Sequence, residues 1–332
     1  MFRKLFIIIL FLSICLIYRC VFSQHIQDEY RIRIAESINI FDKLGDKVWK
    51  GWDKAPFAIL FVDNDYEYLI NYPSPPADFK DIGYDSLLKS EIYYRPRKFD
   101  INFFASFDAL GNIPTIVVGT PGNTGYSGAH WTITLLHEHF HQLQYSQEDY
   151  VTSVKELNLA KGDSTGMWML NYPFPYDSLP VQNKFLELCE KLSIALEHVD
   201  LDDRDKYIRD YVKTKSELKD MLNADDYNYF SFQLWQEGIA RYTEYSIAKL
   251  ASNEFEPSKE YKSLKDYISF SSVADTIFNN IKKGLKELTL SGYKRVAFYY
   301  VGSAEGMLLD RVNPEWRDLY FKDKFFLEKY YK

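Results

Sequence analysis

The sequence predicts an α+β fold, with a mixed α/β-sheet subdomain over residues 24–128 followed by a mainly helical C-terminal half over residues 129–332. Three observations predict it. Apolar, strand-like runs bounded by Asp, Asn, Pro and Gly occur before residue 129, whereas beyond it almost every stretch repeats its apolar residues at spacings of three and four. Gly and Pro number only 15 and 12 among 332 residues, which disfavours a turn-rich all-β chain. At 46% apolar and 26% charged, the chain can bury a sizeable core, and disordered or fibrous classes are excluded.

The first 23 residues are expected to lie outside the fold. Arg3 and Lys4 precede the apolar run Leu5 to Tyr18, and Val21-Phe22-Ser23 supplies small residues at a cleavage site, the pattern of a secretory signal peptide. The expected destination is therefore export, secreted or periplasmic; the alternative is an uncleaved N-terminal anchor extended by Val21 and Phe22. Cleavage removes Arg3, Lys4 and Arg19 but none of the 47 acidic residues, so the net charge of −7 falls by three to −10. That balance disfavours nucleic acid and anionic membrane surfaces as partners, and no membrane span is expected after cleavage. Cys15 and Cys20 leave with the signal. Cys189 then has no intramolecular partner, and its amphipathic surroundings Phe185 to Leu192 predict a buried structural thiol.

Residues 24 to about 50 read as a helix, and Phe57 to Val62 as a buried strand ending at Asp63-Asn64-Asp65. Pro73-Ser74-Pro75-Pro76 marks a loop, Ile101 to Phe107 and Ile113 to Val118 read as two further strands, and Gly119 to Gly128 is a Gly-rich connection. Helices are expected at about 130–147, 181–199, 203–222, 226–252, 258–287, 291–311 and 315–330. With no internal repeat or low-complexity linker, two subdomains sharing one cleft are expected. Fifty-seven aromatic residues, among them 27 Tyr, serve as core and surface filling or as the lining of a peptide or sugar cleft.

Four of the six histidines fall between His130 and His141, and His137-Glu138-His139-Phe140-His141 satisfies H-E-x-x-H within a stretch free of Pro and Gly. Residues four apart share a helix face, so His137 and His141 can place ring nitrogens on one Zn²⁺ while Glu138 reaches a metal-bound water as general base. His139 lies about 200° round the helix from His137 and is not expected to join them. Ile133, Leu136, Phe140 and Leu143 form a core-facing stripe, leaving His137, His141 and Gln144 on an adjacent face at the edge of the core. His130, two turns before His137, is expected at the helix start, with a cleft-lining position as the alternative.

A zinc site needs a third protein ligand. In Trp235 to Tyr245, Glu237 and Glu244 are seven apart and share a helix face, with Gly238 permitting the close approach of another helix. Glu237-Gly238-x-Ala240-x-Tyr242-x-Glu244-Tyr245 resembles the segment that follows H-E-x-x-H in gluzincin metallopeptidases of the M1 aminopeptidase type. The resemblance implies a zincin-like fold with the metal helix at the junction of the two parts. It implies His137, His141 and Glu237 as zinc ligands, Glu138 as the general base, and Glu244 as a carboxylate that orients a ligand or the base. That family's Tyr-x-Lys-Gly tyrosine stabilises the transition state, and Tyr299-Tyr300-Val301-Gly302 matches it in Tyr and Gly, which makes Tyr299, then Tyr300, its counterpart; packing is the other role for both. Two departures stand out. Glu237 follows His141 by 96 residues, so a helical insertion is expected between them, and the family's Gly-x-Met-Glu-Asn segment is absent, so aminopeptidase specificity is not implied.

The expected function is that of a secreted zinc metallohydrolase, a peptidase acting on a peptide or protein substrate, with Ile113 to Val118 offering an edge to an extended substrate. Two other classes fit the composition: a zincin-like frame that binds a peptide or glycan without turnover, against which the intact Glu138 speaks, and a carboxylate-pair glycosidase. Neither has a motif of its own, and no signal sets an oligomeric state.

Overall fold

The computed structural model describes residues 25–111, 113–199 and 202–331, so the expected signal segment lies outside the described residues. Helix α1 (Asp28–Val48) opens with Asp28 and Glu29 and closes with Lys47, charges that suit the two ends of its dipole. Six strands follow: β1 (Ile59–Val62), β2 (Tyr66–Ile70), β3 (Lys80–Asp85), β4 (Ser90–Pro96), β5 (Phe104–Phe107) and β6 (Thr115–Gly119). They form one mixed sheet in the order β3-β4-β2-β1-β6-β5, antiparallel except where β1 runs parallel to β6. In the β1–β2 turn the Asp63 carboxylate accepts from the backbone N–H groups of Asp65 and Tyr66 at 2.9 and 2.7 Å, and so closes the hairpin.

Strand alternation divides the sheet's apolar residues between two layers. Ile59, Phe61, Tyr68, Ile116 and Val118 face the helices and join the main core, whereas Leu60, Val62, Leu69 and Val117 pack under Phe79 and the loop around Phe99 and Ile101. Because β1 and β6 are covered on both faces they read as continuous apolar runs, which is why the sequence revealed them. Strands β2, β3 and β4 were not expected; β3 and β4 carry Lys80, Asp81, Glu91 and Arg95 on half-covered faces and lack clean alternation. The substrate edge also moves: Ile113 to Val118 cannot offer one, because β6 is hydrogen-bonded to β1 on one side and β5 on the other. The edge strand beside the helical half is β5.

Helix α2 (Gly128–Tyr145) is the axis of the molecule. It is buried on all sides rather than along one stripe, its exceptions being His130 and Tyr145, since α1, β5 and β6 lie against it from the N-terminal part and later helices cover the rest. Several of its polar groups are paired with the elements around it. Trp131 donates to the Gly119 carbonyl, Gln142 to the carbonyls of Ala58 and Pro114, and Ser37 of α1 to the Thr132 carbonyl. At its start the Asp266 carboxylate accepts from Gly128 N–H and from the buried Arg33.

The helical half contains α3 (Leu179–His198), α4 (Arg204–Met221), α5 (Ala224–Gln233), α6 (Ile239–Glu254), α7 (Phe270–Glu287) and α8 (Val296–Val312), with shorter turns between them. The helices between α2 and α6 supply the insertion expected from the spacing of His141 and Glu237. Two expected helices are interrupted: 258–287 breaks at 263–269, where Asp266 leaves to reach Arg33, and 315–330 becomes a short helix at Trp316–Tyr320 and a 3₁₀ turn at Leu327–Tyr330. Cys189 is buried in α3, and burial pushes its thiol up to about 12. No helix among the described residues is long and apolar enough to cross a membrane.

Helices α5 and α6 are joined without a break by a π-turn, Leu234–Gly238. Here α8 makes its closest approach: an added Cβ on Gly302 would lie 2.6 Å from the Leu234 carbonyl oxygen and 2.7 Å from the Gly238 Cα, both backbone atoms that cannot swing aside. Gly302→Ala is therefore expected to destabilise the fold by about 1–3 kcal/mol, read as a lower urea midpoint; an unchanged midpoint would show that the contact has slack.

Candidate metal centre

Three elements bring the central side chains together. Helix α2 contributes His137, Glu138 and His141; the π-turn contributes Glu237; α6 contributes Arg241 and Glu244. The Glu237 Oε2 atom lies 3.3 Å from His141 Nε2 and 3.9 Å from His137 Nε2, and one ligand atom from each of the three residues falls within 4.8 Å of the others. A tetrahedral ion with ligand bonds of about 2.0–2.1 Å separates neighbouring ligand atoms by roughly 3.3 Å, so this triangle needs only a small contraction to grip one. The burial suits a closed side with one open approach, since His137 and His141 are almost inaccessible and Glu237 is half-buried.

Both imidazoles are held from behind. His141 Nδ1 is 2.7 Å from Gln144 Oε1, and the Gln144 amide nitrogen donates to Tyr320 Oη at 2.7 Å and to the carbonyls of Gln236 and Trp235 at 3.1 and 3.3 Å. With its nitrogen so occupied, the Gln144 oxygen must be the acceptor, which places a His141 proton on Nδ1 and turns Nε2 toward Glu237, where loss of its proton would free it to bind a metal. The two carbonyls lie in the π-turn, where the regular α-helical ladder is interrupted, and the buried glutamine supplies them with a donor. Glu244 lies behind the other ring, its Oε2 3.4 Å from His137 Nδ1, and is itself held by Arg241 at 2.9 Å and Thr134 at 3.3 Å.

The electrostatics follow from burial and close opposite charge. Burial alone would lower His141, but Glu237 outweighs it and pushes the imidazole up to about 9; burial would raise Glu237, but His141 outweighs it and brings the carboxyl down to about 2. Glu138 is raised by burial, and its Oε2 is buried without a hydrogen-bond partner, although Ser106 of β5 sits beside it and donates to the Glu138 carbonyl at 2.8 Å. Such an orphaned acceptor is costly unless something absent from the protein itself, such as water or substrate, completes it. Burial would raise Glu244, but Arg241, ahead of His137, lowers it.

The two tyrosines part company. Tyr299 stacks on His137 with ring centroids 6.4 Å apart, and its hydroxyl accepts from Arg295 at 2.8 Å beside Glu237. Tyr300, one residue on, points around α8 to Gly284 of α7 and lies outside the centre, so only the first of the two candidate tyrosines reaches it. His139 behaves as its helix angle predicts: it stacks on Phe57 at 4.0 Å, and burial lowers it to about 3. His130 stands in the first turn of α2, with Nδ1 2.7 Å from Ser127 Oγ.

Sequence reasoning missed Arg241, Arg295, Gln236 and Ser106, and gave Gln144 a face but no role. Arg241 had a signal, since it precedes Glu244 by one helical turn. Arg295 and Ser106 had none, because their elements meet α2 only in space. Compared with known proteins, the chain matches no family model, no curated protein and no solved structure.

Two outcomes are expected. Glu237→Ala should lower zinc occupancy more than Glu244→Ala, and Gln144→Leu should weaken zinc affinity about 10–100-fold by freeing the His141 ring and the π-turn, all read by metal titration; equal retention in the two glutamate variants would remove Glu237 as a ligand. Because His141 stays protonated below about 9 in the metal-free protein, binding must expel that proton. Apparent zinc affinity is then expected to rise about tenfold per pH unit from about pH 7 toward that value, and a flat profile would contradict the ion pair.

Proposed function

We propose that the protein is a zinc-dependent hydrolase, most simply a peptidase, with His137, His141 and Glu237 as the ligands. The observation that carries this reading is the convergence of one ligand atom each from His137, His141 and Glu237 next to a buried carboxylate whose outer oxygen has no partner. When bound, zinc supplies Lewis acidity that lowers the pKa of water and polarises a carbonyl.

The chain's own residues supply the rest. Glu138, raised by burial, is suited to take a proton from the attacking water and to pass it to the leaving amine, the two halves of general acid–base work. The Tyr299 hydroxyl accepts from Arg295 and donates toward Glu237; once that carboxylate is engaged by the metal, the hydroxyl proton can turn to the oxyanion that develops on the scissile carbonyl, with the ring lying parallel to His137. Strand β5 pairs with β6 alone among the described strands and carries Ser106 beside Glu138. An extended peptide laid along its open edge would present its backbone to the general base, which favours a peptide over a glycan as substrate.

Mass-spectrometric metal analysis of the purified protein should find about one zinc per chain, lost in a His137→Ala/His141→Ala variant. Glu138→Gln should retain zinc and lose about 10²–10⁴-fold in kcat on a quenched peptide library, and Tyr299→Phe about 10²-fold. Absence of zinc from the wild type even after incubation with the ion, or undiminished turnover in Glu138→Gln, would refute the proposal.

A further inference from the structure

Beside the centre, one side chain away from the ligands, lies a second cavity of about 300 Å³ between the start of α2, α6, α7 and the Tyr300 side chain. Glu244 forms part of its wall, and the same Glu244 carboxylate lies 3.4 Å from His137 Nδ1. Two isoleucines, Ile277 and Ile281, line one side. Most of the remainder is hydrogen-bonding: Arg241, His130, Tyr126, Asn280 and Tyr300.

The balance of this lining is toward donors. Arg241 reaches Glu244 through one terminal nitrogen and also donates to the Tyr126 hydroxyl, which leaves the remaining N–H groups of the guanidinium fork for an acceptor in the cavity. His130 Nε2 is buried at the cavity without any partner, while Nδ1 is held by Ser127, so a hydroxyl proton given to Nδ1 would make Nε2 a donor. The lone carboxylate of the lining, Glu244, is already ion-paired with Arg241 at 2.9 Å. An ammonium group entering here would find no free anion to meet it. The surroundings agree: once a divalent cation is bound, that ion and the guanidiniums of Arg241 and Arg295 exceed the carboxylates of Glu138, Glu237 and Glu244 by one positive charge.

We propose that this cavity is a substrate pocket for a carboxylate, held by Arg241 and His130, so that the protein selects peptides with an acidic side chain or a free C-terminal carboxylate near the scissile bond. The inference builds on the peptidase reading but is tested without turnover. Glu138→Gln protein, zinc-loaded and metal-free, is titrated with fluorescein-labelled hexapeptides that differ only in Glu against Gln at one inner position, or in a free against an amidated C-terminus, and binding is read as anisotropy.

Carboxylate peptides are expected to bind about tenfold more tightly, and Asn280→Asp, an isosteric change at an exposed part of the lining, should remove most of that preference. His130→Leu should weaken the same peptides while zinc content stays unchanged. A preference confined to the inner Glu assigns the pocket to a side chain, one confined to the free terminus assigns it to a chain end, and either supports the proposal. Equal binding of acid and amide members, or a preference untouched by Asn280→Asp, overturns it. Should the wild type fail to cleave any peptide while this preference is present, the peptidase reading falls and the carboxylate pocket stands; should cleavage occur without the preference, the reverse holds.

Discussion

Much of this molecule turns on one buried amide. Gln144 accepts from His141 and donates to the Trp235 and Gln236 carbonyls of the π-turn, so the His141 ring and the backbone beside Glu237 are fixed by the same side chain. A π-turn adds a residue to a helix at the cost of a disrupted hydrogen-bond ladder, and it persists only where neighbours compensate. Here Gln144 and the Tyr320 hydroxyl do so from one side, the latter donating to Trp235 O at 2.6 Å, and the Gly238–Gly302 contact holds α8 against the other. The extra residue is what places Glu237 opposite both imidazoles.

This arrangement also explains the charges that the core tolerates. Helix α2 is buried along nearly its whole length yet carries three histidines and a glutamate in one run, an arrangement that is unfavourable unless every ring and carboxylate has a partner. His139 meets Gln142 through Nδ1 and stacks between aromatic rings; His141 meets Gln144 and Glu237; His137 lies against Glu244 and Tyr299. Glu138 presents an oxygen without a hydrogen-bond partner beside the half-open side of the centre, where Glu237 and Arg295 retain some exposure. The same logic of opposite charges held in a dry interior recurs far from the centre: Lys215 of α4, buried, reaches Glu305 of α8 at 2.7 Å and Glu328 of the C-terminal turn at 3.2 Å, tying the end of the chain to the helical layer.

Helix α2 and the buried strands β1 and β6 were legible because their signals are local: a pair of histidines four apart, a glutamate between them, apolar runs covered on both faces. Strands β3 and β4 were not, because a half-exposed sheet surface tolerates charge and blurs the period-two pattern, and in the buried β2 Glu67, paired with Arg95, interrupts the apolar run. The central error concerned α2 itself, whose apolar stripe suggested a helix at the edge of the core, whereas the polar face is buried as well: α1 and β5 donate to its backbone carbonyls, and Gln144 is satisfied by the π-turn and Tyr320. Periodicity reports how hydrophobic a face is, and it cannot report that a polar face has found partners.

By itself the sequence determined the α+β division, the helix that carries His137, Glu138 and His141, and the pairing of Glu237 with Glu244 on one segment, since each depends on residues within a few turns of one another. The tertiary structure alone decided that Glu237 rides on a π-turn, that Tyr299 rather than Tyr300 reaches the centre, that β5 is the edge strand beside the helical half, and that Arg241 and Arg295 add two positive charges beside His137, His141 and Glu237. These features arise where helices and strands distant in sequence pack together, and the direction in which a side chain points there is set by the neighbour it meets rather than by its own place in a helical repeat.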